Sequence, residues 1–168
     1  MDWSSLKRKL NAYITGAKAN PIQFIATGFG SGLMPNAPGT WGTVAAIPLY
    51  LIMYHLPGWL YLLLVVAAFL VGVYLCDEAA KGLGVADDPR IVWDEFVGFW
   101  ITMIGAPLDF SHLLLGFLLF RAFDILKPWP ISYFDKNIPG GMGIMIDDVF
   151  AGVYALVFLQ IIILFVPV

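Results

Sequence analysis

The chain has 168 residues, of which 60% are hydrophobic and only 12% charged, and its mean hydropathy is +0.84. Soluble domains are about 45–50% apolar and about 25% charged, so there is too little polar surface here to coat a water-soluble particle. The net charge of −3 argues against nucleic acid as a partner, and the single cysteine, Cys76, rules out an intrachain disulfide. The length suits one domain, spanning 1–168.

In chain order, residues 1–18 read as an interfacial helix. Trp3, Leu6, Leu10, Tyr13 and Ile14 recur at helical spacing, with Lys7, Arg8 and Lys9 mostly off that stripe. An ordinary surface helix packed on the rest of the protein fits the same pattern. The basic cluster is followed by no clean apolar run and no small-residue cleavage site, so no secretory signal is expected. Residues 20–42 are rich in Gly, Pro, Ser, Thr and Asn, which is loop or broken-helix chemistry. An apolar run over 43–56 is interrupted by Pro48, and 55–58 form a turn. Residues 59–76 carry no charge and are a strong candidate for a membrane span. Residues 77–95 are polar and acidic, 96–108 apolar but short, and 109–112 polar again. The apolar run 113–120 leads into Arg121, Asp124 and Lys127, and Pro128 and Pro130 end that helix. A second Gly-rich polar stretch covers 132–148, and 149–168 is long enough to span. The expected fold is all-α: a polytopic membrane helical bundle of about four to five membrane segments plus the N-terminal interfacial helix. Residues 20–168 would form the catalytic bundle. Only two segments approach the ~20 residues a full span needs.

With a cytoplasmic N-terminus and five spans, 1–42, 77–95 and 121–148 share one face. All nine Lys and Arg then fall on the cytoplasmic side, which is the positive-inside pattern. Eleven of the twelve acids fall there as well, Asp109 being the exception. Acids do not orient the chain, so their gathering there calls for another reason, and a site for metal and phosphate supplies one.

Several familiar chemistries are missing. His55 and His112 fall on the opposite face. Cys76 lacks the Cys-x5-Arg phosphate loop, and neither an Asp-x-Asp pair nor a Walker loop occurs. What remains is carboxylates, Arg, Lys, hydroxyls and glycine-rich backbone, a set that suits Mg²⁺ and phosphate. Asp94-Glu95 opens the segment from Phe96, and Asp147-Asp148 opens the segment from Val149. Helix capping accounts for one such pair alone, whereas two pairs at matching depth point to a shared site. Arg121, Asp124 and Lys127 lie three residues apart, either as an ion-pair ladder or as an inward stripe with Asp124 on metal and the cations on phosphate. Gly30 and Ser31, in the run Gly28-Phe29-Gly30-Ser31-Gly32, with Thr40 nearby, offer backbone and hydroxyl donors to phosphate. Gly140-Gly141-x-Gly143 does the same, although such loops also serve as plain turns. Asp77, Glu78, Asp87 and Asp88 read as solvated charge.

The blocks Gly28-Phe29-Gly30-Ser31-Gly32 with Pro38-Gly39-Thr40, Ile91-Val92-Trp93-Asp94-Glu95-Phe96, Arg121 through Asp124 to Lys127-Pro128-Trp129-Pro130-Ile131, and Gly140-Gly141-Met142-Gly143-Ile144-Met145-Ile146-Asp147-Asp148 with Gly152 resemble the phosphatidylglycerophosphatase A family. The resemblance implies a helical, Mg²⁺-requiring enzyme of the bacterial inner membrane. Such an enzyme removes the terminal phosphate of phosphatidylglycerophosphate to give phosphatidylglycerol, with the bilayer and its lipid as partners. Role assignments come from the residues themselves. Asp94, Glu95, Asp147 and Asp148 hold one or two Mg²⁺ ions that assist in-line attack of water, Asp124 is a further ligand or the base, and Arg121 and Lys127 bind phosphate. Two other classes stand beside this one. A CDP-alcohol phosphotransferase would need an Asp-Gly…Ala-Arg…Gly…Asp…Asp pattern that is absent. A transporter would need polar groups at mid-membrane.

Overall fold

Asn20 starts the first helix, α1 (Pro21–Ala26), by accepting a hydrogen bond from the Gln23 N–H at 3.4 Å, while Pro21 occupies a first-turn position that needs no N–H. The computed structural model describes residues 20–165, apart from the side chains of 134–136. The interfacial helix expected over 1–18 lies outside the described residues. A 3₁₀ segment (Gly28–Leu33) follows, then α2 (Pro38–Met53), α3 (Gly58–Leu83), α4 (Trp93–Thr102), α5 (Phe110–Leu126), α6 (Ile131–Asn137) and α7 (Gly140–Phe165). Among the described residues every regular element is helical and no strand occurs.

Helices α3 and α7, at 26 residues each, are long and apolar enough to cross a membrane. At 1.5 Å per residue each runs about 39 Å, beyond the ~30 Å hydrocarbon thickness. Their outward sides expose Leu63, Val66 and Leu70 on α3, and Val157, Phe158 and Ile161 on α7. Water would not tolerate such a surface, and lipid would, so the chain is membrane-associated. Helices α2 and α5 have 16 and 17 residues.

The apolar stretch 96–108 contributes only α4, ten residues and roughly 15 Å long. This helix is the core of the molecule. Phe96, Val97 and Phe99 are fully buried, and α4 packs against α2, α3, α5 and α7. Three aromatic side chains of this core bond to backbone carbonyls: Trp100 Nε1 donates to Ala46 (3.1 Å), Trp93 Nε1 to Ala68 (3.1 Å) and the Tyr61 hydroxyl to Trp100 (2.7 Å). Helices α4 and α7 approach closely, and a Cβ on Gly152 would run into the Gly98 carbonyl.

One boundary differs from the expectation. Residues 140–148 read as a polar glycine-rich loop, yet α7 begins at Gly140. The glycines there serve contact between backbones: a Cβ on Gly141 would strike the Val73 carbonyl, and one on Gly143 the Ile138 carbonyl. Glycine at a tight crossing and glycine in a turn look the same in a sequence.

Candidate active site

Five segments end at one cleft of about 710 Å³. The start of α2 contributes Ala37, Pro38 and Gly39, and the connection from α3 to α4 contributes Asp87, Pro89 and Ile91. Asp94 and Glu95 come from the first turn of α4, and Arg121, Asp124, Ile125 and Lys127 from the end of α5. The start of α7 and the residues before it supply Ile138, Pro139, Gly140, Gly143, Ile144, Asp147 and Asp148. Six carboxylates and two cations therefore face one cavity.

The two acidic pairs reach it in different ways. Asp94 and Glu95 lie in a first helical turn, as expected. Asp147 and Asp148 lie about two turns inside α7, where no free backbone N–H groups await a cap. Helix capping thus fails to explain the second pair, and its burial needs the cleft.

One carboxylate oxygen from each of Asp94, Glu95 and Asp148 lies within 4.8 Å of the other two. Asp94 Oδ1, Glu95 Oε2 and Asp148 Oδ2 are buried and meet no donor among the described residues. At that spacing two like charges repel by roughly 3 kcal/mol even at an effective dielectric constant of 20. Such a trio needs protons or a cation. Hard oxygen donors, buried oxygens without donors and a local excess of negative charge fit a divalent ion such as Mg²⁺.

Asp147 stands apart from the trio, with its Oδ2 2.6 Å from Lys127 Nζ. Arg121 Nη1 lies 2.5 Å from Asp124 Oδ2 and 3.6 Å from Glu95 Oε1. Only one rung of the ladder considered for this helix forms, Arg121 with Asp124, and both residues line the cleft, whereas Lys127 turns to Asp147 of α7. Lys127 follows the last turn in a left-handed conformation (φ 41°), which caps α5. Gly39 lies over the Glu95–Arg121 pair, and a Cβ there would meet both side chains.

Other expected residues are placed elsewhere. Gly30, Ser31 and Thr40 do not line the cleft. Gly30 and Ser31 belong to the 3₁₀ segment, whose Phe29 ring packs edge-on against Trp93 and Phe96 at 6.3 Å, so this segment buttresses α4. Asp87 and Asp88 are not plain solvated charges. Asp87 lines the cleft, and Asp88 is buried where the Arg90 guanidinium and N–H hold its carboxyl below the usual range. Asp77 and Glu78 pair with Lys81 at 2.8 Å outside the cleft. His112 is buried beside Asp109, and Cys76 is buried in the core; neither lines the cavity. The sequence reading missed Gly39 and Asp87. Gly39 lay within a glycine-rich block, but nothing in the chain singles it out from its neighbours.

Fold and cleft together define a helical membrane protein that gathers carboxylates and cations at one cleft. The family model described as phosphatidylglycerophosphatase A matches residues 24–163, and the chain belongs to that family. It is 53% identical over 136 residues to phosphatidylglycerophosphatase A of Escherichia coli, covering 80% of this chain and 79% of the relative. Identity to the Haemophilus influenzae protein of the same name is 49% over 140 residues, covering 82% and 86%. A Bacteroides thetaiotaomicron protein with the provisional name phosphatidylinositol-3-phosphatase is 37% identical over 145 residues, covering 82% and 90%. No solved structure gives a significant match.

Proposed function

We propose that this protein is a phosphatidylglycerophosphatase. It hydrolyses the terminal phosphate monoester of phosphatidylglycerophosphate, releasing inorganic phosphate and leaving phosphatidylglycerol for phospholipid synthesis. Membership of the family supports the substrate. The observation that carries the chemistry is the Asp94–Glu95–Asp148 cluster, with Glu95 and Asp148 buried and Asp94 partly so, beside Arg121 in a cleft of a membrane protein. Asp94, Glu95 and Asp148 would hold Mg²⁺, with Asp147 at the edge of the same site. When bound, the ion supplies positive charge that polarises the phosphoryl oxygens.

The chain's own groups do the rest. The Arg121 guanidinium offers a planar fork to the phosphate oxygens, and Asp124 fixes its orientation from one turn away. Lys127 adds a second cation at the cleft. Water attacks phosphorus in line with the departing glycerol oxygen, and that oxygen leaves as the hydroxyl of phosphatidylglycerol. Purified protein in detergent is expected to release phosphate from phosphatidylglycerophosphate with Mg²⁺ and to stop when a chelator is added. Faster release from phosphatidylinositol 3-phosphate than from phosphatidylglycerophosphate would transfer the assignment to that lipid, and full activity in excess chelator would remove the metal.

In this proposal the protein sits in the bacterial inner membrane with the cleft facing the cytoplasm. The chain would cross the membrane five times, on α2, α3, α5 and α7 and, between α3 and α5, on the enclosed α4 with residues 103–109. Support comes from the cleft lining, which is drawn only from the three stretches that share a face under the positive-inside pattern. Cysteine labelling tests it in a Cys76→Ser background. That background is expected to stay active because the thiol is buried and does not line the cleft. Cysteines at Gly58 and Leu108 should label from outside the cell, and cysteines at Glu78 and Tyr133 from inside. Glu78 and Tyr133 labelling from opposite faces would overturn the topology.

A further inference from the structure

The cleft grades from buried and charged to exposed and apolar along one helix end. The Arg121 side chain is 13% exposed and lies against Glu95 of the carboxylate cluster. Lys127 is 30% exposed, and Asp147 holds its ammonium. Ile125 also lines the cleft yet is 68% exposed, so the cavity opens past it onto apolar surface. Leu118 and Leu114, seven and eleven residues back along α5, are exposed too. Those spacings place all three on one helix face. An apolar stripe of about 16 Å therefore leads away from the mouth of a charged cleft.

The proposed substrate has the same grading. Its terminal phosphate is a monoester, the next phosphate inward is a diester, and beyond it lie two acyl chains. We propose that the cleft takes this headgroup end-on. The monoester reaches Arg121 and the carboxylate cluster, Lys127 pairs with the phosphodiester, and the acyl chains lie over Ile125 and along the Leu118–Leu114 stripe. Lys127 is then a specificity-determining residue that distinguishes a phospholipid headgroup from a bare phosphate. This assignment rests on the proposed function and names the part of the substrate that each cation reads.

The two phosphates can be probed separately by inhibition of phosphatidylglycerophosphate turnover. Phosphatidylglycerol in mixed micelles carries only the diester, and inorganic phosphate mimics only the monoester. For Lys127→Gln, the inhibition constant of phosphatidylglycerol should rise about tenfold, the effect of losing one hydrogen bond to a charged group. That of inorganic phosphate should move less than about twofold, within the scatter of such measurements. KM for phosphatidylglycerophosphate should rise more than kcat falls. Lys127→Arg keeps the charge and should restore phosphatidylglycerol inhibition, which separates charge recognition from a packing defect. Equal weakening of both inhibitors, or a larger effect on inorganic phosphate, would overturn the assignment. A change confined to kcat would also overturn it. If the wild-type protein released phosphate from no lipid, the functional reading would fail and this assignment with it, whereas active wild type with unselective Lys127→Gln would overturn this assignment alone.

Discussion

Asp148→Asn, Asp94→Asn and Glu95→Gln should each lower phosphatidylglycerophosphate turnover by about two to three orders of magnitude, the loss that follows removal of one group meeting transition-state charge. Each amide keeps the size of the acid and much of its hydrogen bonding but removes a negative charge. Among the described residues the cluster keeps buried oxygens that meet no donor, and an amide in place of one acid weakens its hold on a cation. Binding should fall together with turnover. Titration calorimetry with Mg²⁺, or Mn²⁺ as a paramagnetic stand-in, should show weaker affinity in all three variants, and excess metal should partly restore activity by mass action. Folding should survive, because the substitutions relieve repulsion among three crowded carboxylates. Glu78→Gln is the control, since Glu78 pairs with Lys81 outside the cleft. If two of the three variants bound metal and turned over substrate at wild-type levels, the cluster would not be the metal site.

Gly39→Ala should have a comparable effect on activity with almost none on stability. The added Cβ would meet the Glu95 carboxylate and the Arg121 guanidinium, both at the ends of flexible side chains. Those ends can swing aside at little cost to the fold, but doing so breaks the alignment of the anion-binding cation with the carboxylate cluster. A misplacement of about 1 Å in a site of this kind lowers rates by about a hundredfold. Gly152→Ala is the informative contrast. There the Cβ meets the Gly98 carbonyl, and a helix backbone cannot swing aside. That variant should lose about 1–3 kcal/mol of stability through overpacking between α4 and α7. Thermal unfolding in detergent and turnover, measured on both variants, separate the two outcomes. A Gly39→Ala protein with unchanged kcat/KM would show that the Glu95–Arg121 geometry does not matter to the reaction.

Asp94, Glu95, Asp124, Asp147, Asp148, Arg121 and Lys127 were all legible as candidates, because acids in a chain this apolar require a purpose. Their division of labour was not. Asp147 and Asp148 are adjacent, yet one pairs with Lys127 and the other joins Asp94 and Glu95. Neighbouring residues on a helix point about 100° apart, so the outcome depends on how α7 is rotated against α4 and α5. The glycine-rich segments were read for phosphate, but Gly30 and Ser31 went to support α4, while Gly39 came to lie over the charged pair.

By itself, the sequence determined the membrane association, the helical class, the two long apolar helices and the pool of reactive side chains. Each of these follows from composition, from uninterrupted apolar length, or from the cost of placing charge in an apolar chain. Only the tertiary structure decided that a ten-residue helix would form the core, that α7 would begin at Gly140, and which carboxylate would face which cation. Those outcomes depend on contacts between residues tens of positions apart, such as Gly98 with Gly152 and Glu95 with Arg121, and a local pattern carries no record of the partner it will meet.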